Sequence, residues 1–434
     1  MVELRPFRGW RYNPDVVGDL ASVICPPYDI IDQELEEDLH RRSPYNAVYL
    51  EGSERPDWNA PTGERYSQAS QLFQDWREQK VMNRDQEACF YLMKHSYQHM
   101  IQGNSVQLTR TGLIAAVGLE DYQRLQVLRH EHTQEPAVQD RISLMDACDA
   151  NFSPIMSLYR DATGSLNTAF NTAMAQSPVF QVKDDSGQET ALWKITQPET
   201  QESITNVFKE IPVFLADGHH RYEAALRLKG LKQGGATTET HNQAYNYVMM
   251  TLFEFDDPGL MVLPYHRVVA GLSSQSLESL RFQLDEMFQI QDAGPADPGG
   301  LEVLLEQVAQ SRTRVMGVAG FEKGRLSLLT LKETHDTGQW GPLAVSEGWI
   351  LEEHVLKPIL GDESSQMVDY AHNHQQALDQ VVSGEQQMAF LLKPFPMDGF
   401  EAVVGAGHIL PRKSTFFYPK LPTGLVINQI QGTL

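Results

Sequence analysis

The sequence predicts a mixed α/β, α+β architecture. Three observations lead there. Strand-patterned runs such as 88–96 and 111–119 mingle along the whole chain with stretches of helical periodicity such as Tyr66, Ala69, Leu72, Phe73 and Trp76. Turn signals between adjacent strand runs, Asp184-Asp185-Ser186-Gly187 above all, demand antiparallel hairpins. One apolar strand instead runs through a glycine turn straight into a helix, over 211–229. Helices and strands that alternate without segregating pack as layers around mixed sheets.

Taken in order, Val23 to Cys25 reads as a short buried strand closed by Pro26-Pro27, which hold Tyr28 and Asp29 in a rigid loop. Asp32 caps a helix through His40, Asn46 to Leu50 reads as a strand, and Pro56 to Gly63 as a loop. The runs at 88–96 and 111–119 form a long hairpin with Asn104 in its loop. Polar Leu128 to Thr133 leads to Asp140-Arg141 and a helix carrying Ile142, Leu144 and Met145. Asn151 to Pro154 then opens a strand through Tyr159. A helix over 165–176 and a hairpin of Phe180–Val182 with Ala191–Ile195 follow, then a helix near 199–209. Beyond the central helix come a loop from Gly234 to Thr240, a strand from Tyr245 to Phe255, and a turn at 256–259 into Leu260 to Leu263. Helices near 275–290 and 301–311 flank Asp292–Gly300, the best linker candidate by composition. A hairpin (Arg314–Val318 with Leu326–Leu331), a helix near 347–360 and a strand from Met388 to Leu392 complete the chain. Three regions result: 1–160, 161–291 and 292–434.

A chain of 434 residues is long enough for a large core. Its formal net charge of −22 excludes a main surface built for nucleic acid, since phosphate contacts supply most non-specific affinity. A local basic pocket still suits a small anion. Cys25, Cys89 and Cys148 stand far apart without a CxxC pair, which fits reduced and mostly buried thiols. No apolar stretch reaches the roughly 18 residues a spanning helix needs, and the N-terminal residues carry no signal-peptide core. The expected compartment is the cytoplasm.

The chemistry concentrates at 211–229. Ile211 to Ala216 is an apolar strand, Asp217-Gly218 a tight turn, and His219-His220-Arg221 the start of a helix. The free N–H groups and positive end of such a helix face whatever lies over the turn. Arg221 adds a planar fork suited to phosphate or carboxylate. The plainer alternative is that Asp217 merely caps the helix and the His pair is a polar helix start.

Asp217-Gly218-His219-His220-Arg221 with Ala225 resembles the turn of the ParB/sulfiredoxin superfamily. The resemblance implies a nucleotide-binding core in which the turn and its arginine hold phosphates. The whole chain resembles the DUF1015 family, through the same turn and seven further stretches: Pro26-Pro27-Tyr28-Asp29, His130-Glu131-x-Thr133, Asp140-Arg141, Asn151-x-Ser153-Pro154-Ile155, Asp257-Pro258-Gly259-Leu260, Leu263-Pro264-x-His266-Arg267 and Lys413-Ser414-Thr415-x-Phe417-x-Pro419-Lys420. Sulfinate repair needs a Cys where His219 stands, and the acidic charge disfavours a ParB-like DNA role. The resemblance therefore implies a nucleotide-dependent phosphotransferase using ATP or ADP, with Mg²⁺ as its companion ion, on a small hydroxylated metabolite such as free serine. The alternative it leaves open is a nucleotide-binding regulatory protein with little turnover.

In that frame Gly218 admits phosphate to the backbone, while His219, His220 and Arg221 neutralise charge on the transferred group. Glu131 is the first choice for the base and Asp29 the second. Asp217 orients a His, or holds Mg²⁺. Arg141, Lys413, Ser414 and Thr415 are the remaining candidates for anion contact, although Phe416, Phe417 and Tyr418 equally suit a tail anchored to the core. His130-Glu131-x-Thr133 lacks the i, i+4 histidines of a zincin, so no metal site is assigned to that stretch. The expected partners are a nucleotide and a small-molecule substrate, with no membrane, no nucleic acid, and self-association left open.

Overall fold

Long apolar strands in the first 260 residues need partners on both sides, and the computed structural model shows how they find them. It describes residues 1–51, 63–101, 104–234, 242–335, 337–361 and 367–434. The chain forms two compact units, Met1–Leu260 with Pro419–Leu434, and Met261–Tyr418. The architecture is mixed α/β throughout.

The first unit is built on a nine-stranded sheet: β1 (Leu4–Arg5), β2 (Phe90–Ile101), β3 (Asn104–Gly118), β4 (Val127–Leu128), β5 (Ile155–Tyr159), β6 (Phe180–Lys183), β7 (Glu189–Ile195), β8 (Val213–Asp217) and β9 (Tyr247–Glu254). Their spatial order is β4-β8-β5-β9-β3-β2-β7-β6, with β1 against β3. β8 runs parallel to β4 and antiparallel to β5, while β5 and β9 run parallel. β2 and β3 form the expected hairpin, and Asn104 already pairs with Ile101 rather than lying in its loop.

The helices are α1 (Gln33–Arg42), α2 (Gly63–Glu78), α3 (Glu135–Cys148), α4 (Leu166–Met174), α5 (Pro198–Phe208) and α6 (His219–Gln233). Asp32 caps α1 as expected, its carboxylate accepting the Leu35 N–H at 2.9 Å. One continuous core joins Val138 and Ile142 of α3, Phe170 of α4, Phe208 of α5 and Tyr222, Ala225 and Leu228 of α6 to the sheet. Phe73 and Trp76 of α2 enter a second cluster with Phe152 and Leu144.

The second unit is a six-stranded antiparallel sheet in the order 288–295, 325–331, 315–319, 388–391, 266–269, 368–371. Apolar clusters cover it from two sides, one around Leu284, Met316 and Phe390, the other around Leu304, Ala319 and Leu391. A separate two-stranded pair joins Met261–Leu263 to Phe416–Tyr418.

Three sequence expectations need correction. Asn46 to Leu50 is not a strand: Val48–Glu51 is helical, because the Asn46 side chain accepts the Val48 N–H at 3.0 Å and nucleates a turn. Val23 to Cys25 contributes only a single bridge, Cys25 with Thr423. Asp292–Gly300 is no linker, since Phe288–Pro295 pairs with 325–331 and Asp297 caps the helix Pro298–Gln310. Its glycine and proline make a bulge and a helix start instead. The loops expected over 56–62 and 235–240 lie outside the described residues. Among the described residues no helix is long and apolar enough to cross a membrane.

Gly259 closes the Asp257-Pro258-Gly259 turn against β3. A Cβ there would collide with the backbone of Thr109 and Arg110, which cannot step aside within a paired strand. Gly259→Ala is expected to destabilise the first unit by about 2 kcal/mol or more, as overpacking does. Urea unfolding with a probe in that unit checks this.

Candidate functional site

β8 ends on Asp217 and the chain must reverse into α6 within one residue. Gly218 does this at φ +93°, a left-handed conformation that a Cβ disfavours. A Cβ would also sit 3.0 Å from the Arg221 guanidinium. The open space at Gly218 lets Arg221, one turn into α6, fold back over the turn. Its Nη2 donates to Asp217 Oδ2 at 2.8 Å and its Nη1 to the Pro154 carbonyl at 2.6 Å, tying the turn to the start of β5. The Lys420 ammonium donates to the other oxygen, Asp217 Oδ1. Burial by itself would raise the Asp217 carboxyl, but Lys420 and Arg221 together hold it well below the usual carboxylate range.

The segment after β4 is stitched to the same turn. His130 Nδ1 lies 2.8 Å from the Leu215 carbonyl, which can only accept, so that nitrogen carries the proton. The Gln134 N–H donates to His220 Nε2 at 3.1 Å. The rings of His130 and His219 meet edge to face, centroids 4.5 Å apart. Burial pushes His130 down to about 4 and pushes His219 well below its ordinary value. Both imidazoles are therefore neutral at pH 7. The positive charge at the turn comes from Arg221 and Lys420. His219 Nε2 and Arg221 Nε are buried without a hydrogen-bond partner among the described residues.

Glu131 is half-buried on the loop beside His130, and Asp29 is exposed in the short turn Tyr28–Ile30. Asp140 and Arg141 lie inside α3, not at its cap, and pair with each other. Arg141 also donates to Glu51 at 2.9 Å and covers the Tyr28 ring at 3.9 Å. Asp140 accepts from Tyr66 at 2.6 Å and from Arg65, both of α2. Arg141 and Arg221 come together. With Glu51, Asn151, Ser153 and several apolar side chains they line one small cavity, and both act on the buried Tyr28 hydroxyl. Glu51 Oε1 is buried there without a partner among the described residues.

Lys413, Ser414 and Thr415 belong to the second unit. Lys413 Nζ lies 3.4 Å from the Tyr265 hydroxyl, and the Ser414 hydroxyl donates within its own loop to the Pro411 carbonyl at 2.6 Å. Sequence reasoning weighed Lys413 and passed over Lys420 at the end of the same stretch. Glu51 lies just beyond the run Asn46 to Leu50 and carries no pattern of its own in the sequence. Neither residue carries a local signal; only the tertiary fold gives it partners. Among the described residues no group of three or more His, Cys, Asp or Glu side chains is placed to hold a metal ion.

A family model described as "Protein of unknown function (DUF1015)" matches residues 4–355. The chain belongs to the DUF1015 family. No curated protein matches this sequence. Among solved structures, a free serine kinase variant in complex with ADP is similar to this DUF1015 protein at 12% identity, covering 67% of this chain and 84% of that one, with a TM-score of 0.34. A conserved hypothetical protein from Pyrococcus furiosus is similar at 13% identity, 69% and 90% coverage and a TM-score of 0.35. C-terminally truncated SbnI from Staphylococcus aureus is similar at 13% identity, 74% and 87% coverage and a TM-score of 0.34. Likenesses this distant say nothing of what the DUF1015 protein does.

Removing Lys420 leaves the half-buried Asp217 with one cation instead of two. Lys420→Ala is expected to cost about 3 kcal/mol, the low end for breaking a buried pair, because Arg221 remains. Denaturant titration measures it. Protonation gives a second check. Unfolded histidine takes its proton near pH 6.5 whereas His130 in the fold waits until about 4. Between those values the unfolded chain binds more protons, so this contribution is complete above pH 6.5 and falls as pH drops towards 4. His130→Asn is expected to flatten the dependence of melting midpoint on pH across that window relative to the native chain.

Proposed function

We propose that this DUF1015 protein binds a nucleotide at the Gly218 turn and transfers a phosphoryl group to a small hydroxylated metabolite, with free serine the first acceptor to try. The observation that carries the reading is the meeting of Arg221 and Lys420 at a glycine-opened helix N-terminus, with Arg141 on the cavity beside it. Phosphoryl transfer asks the protein mainly for positioning and positive charge. A helix N-terminus over a glycine suits phosphate oxygens, and Arg221 Nε and His219 Nε2 are buried polar atoms without a partner among the described residues.

Gly218, His219, Arg221, Lys420 and Arg141 would hold the nucleotide. Glu131, half-buried beside His130, is the preferred base, with Asp29 second. Asp217 is a poor base, since both oxygens already accept from cations. It fits better as the group that fixes Arg221 and Lys420. A Mg²⁺ ion would ride mainly on the nucleotide phosphates, as that ion commonly does. The strand–turn–helix that resembles the ParB/sulfiredoxin turn supports the same reading.

One observation favours a second reading, a nucleotide-binding regulatory protein with little turnover. Both Nη atoms of Arg221 already serve Asp217 and Pro154, which leaves Nε to meet a phosphate and less of the guanidinium charge to stabilise a group in transfer. Incubation with ATP or ADP, Mg²⁺ and serine, followed by detection of phosphoserine, separates the two. The kinase reading expects product, lost by about 100-fold or more in Glu131→Gln with nucleotide binding kept. Saturable nucleotide binding without turnover on a panel of hydroxyl compounds supports the regulator. Arg221→Ala is expected to abolish protection of the protein against heat by nucleotide. If no nucleotide protects the native chain, both readings fall.

A further inference from the structure

The turn occupies one end of β8. Because β5 runs antiparallel to β8 and parallel to β9, the C-terminal ends of β5 and β9 lie at the opposite end of the sheet. Asp217 pairs with Met156, and Tyr159 is three residues further on, about 10 Å away by strand rise. There the first unit holds a cavity of about 660 Å³, well within the range of small-molecule sites. It is independent of the proposed nucleotide site.

Its walls are of two kinds. Tyr159, Leu166, Phe170 and Met174 give an apolar side, three of them from α4. Asp161, Glu254, Asp256 and Asp257 also line it, with Arg160 the one cation among the described lining residues. Arg160 pairs with Asp256 at 2.7 Å. The other three carboxylates are fixed by backbone N–H groups: Asp257 accepts from Thr111 at 2.8 Å and Gly259 at 2.8 Å, Asp161 accepts from Leu166 at 3.0 Å, and Glu254 accepts from Asp256. Glu254, Asp161 and Asp257 all act on the Tyr159 hydroxyl, which burial already pushes up, so their fields converge on one wall of the cavity. Burial, foremost, also raises the carboxyls of Glu254 and Asp257.

This lining repels phosphate and carboxylate ligands. Nor does it suit a bare metal ion, since no three described His, Cys, Asp or Glu side chains stand close enough to chelate one. What remains is a ligand whose positive charge is spread over an extended molecule and whose body is apolar. We propose that the cavity binds a small organic ammonium compound with a short aliphatic body, a linear diamine being the simplest member of the class.

The test uses the full chain and 1,4-diaminobutane, with 1,4-butanediol as the uncharged match and Mg²⁺ as the bare cation. The diamine is expected to bind saturably by calorimetry and to raise the melting midpoint, and the diol to do neither. Glu254→Gln with Asp256→Asn is expected to weaken the diamine by about tenfold or more, since two lining carboxylates lose their charge. If that double variant loses its own heat transition, Ala162→Trp, at an exposed position of the lining, is expected to block binding by filling the space. The proposal is overturned by no saturable diamine binding, by equal protection from the diol, by Mg²⁺ displacing the diamine one for one, or by a folded variant that binds it unchanged.

Discussion

One half-buried carboxylate organises the first unit. Asp217 ends β8 among apolar neighbours, where an uncompensated charge would be costly. It is tolerated because two cations reach it from different parts of the chain, Arg221 from the next helical turn and Lys420 from the returning C-terminal segment. The backbone must reverse sharply for Arg221 to arrive, hence the glycine at φ +93°. Pro154 is drawn in by the other arm of the same guanidinium, which fixes where β5 begins. Strand end, helix start and tail are thus held by one charge and its partners.

A second network stands beside it. Asp140 and Arg141, neighbours inside α3, reach different elements: Asp140 holds Arg65 and Tyr66 of α2, while Arg141 holds Glu51 and stacks on Tyr28. Such buried pairs contribute less stability than their count suggests, because desolvation offsets most of the Coulomb gain. What they supply is direction. Arg141 and Arg221 end on one cavity that also holds a Glu51 oxygen without a partner among the described residues. The histidines between the two networks stay neutral, so they shape the site as dipoles and leave the charge to arginine and lysine.

Much of the architecture was legible in the sequence. The β2–β3 hairpin, the strands β5, β8 and β9 and the helices α2 to α6 follow from apolar periodicity and turn residues, which act over a few neighbours. Reading failed where composition and tertiary demand diverged. Asp292–Gly300 is rich in turn residues yet pairs as a strand, because the partner at 325–331 decides. Asn46 to Leu50 has a strand's composition yet turns as a helix, because Asn46 caps it locally and its amide also reaches the Ser22 carbonyl.

By itself the sequence determined the location and local shape of the turn at Asp217-Gly218. Those depend on bonds between residues at most four apart and on a backbone conformation that glycine accommodates. It also determined that Arg221 would attend that turn. Only the tertiary structure decided that Lys420 rather than a nearer cation completes the pair, that Glu51 meets Arg141, and that the histidines are uncharged. Each of these rests on burial or on contacts between segments tens to hundreds of residues apart, and no local pattern encodes either.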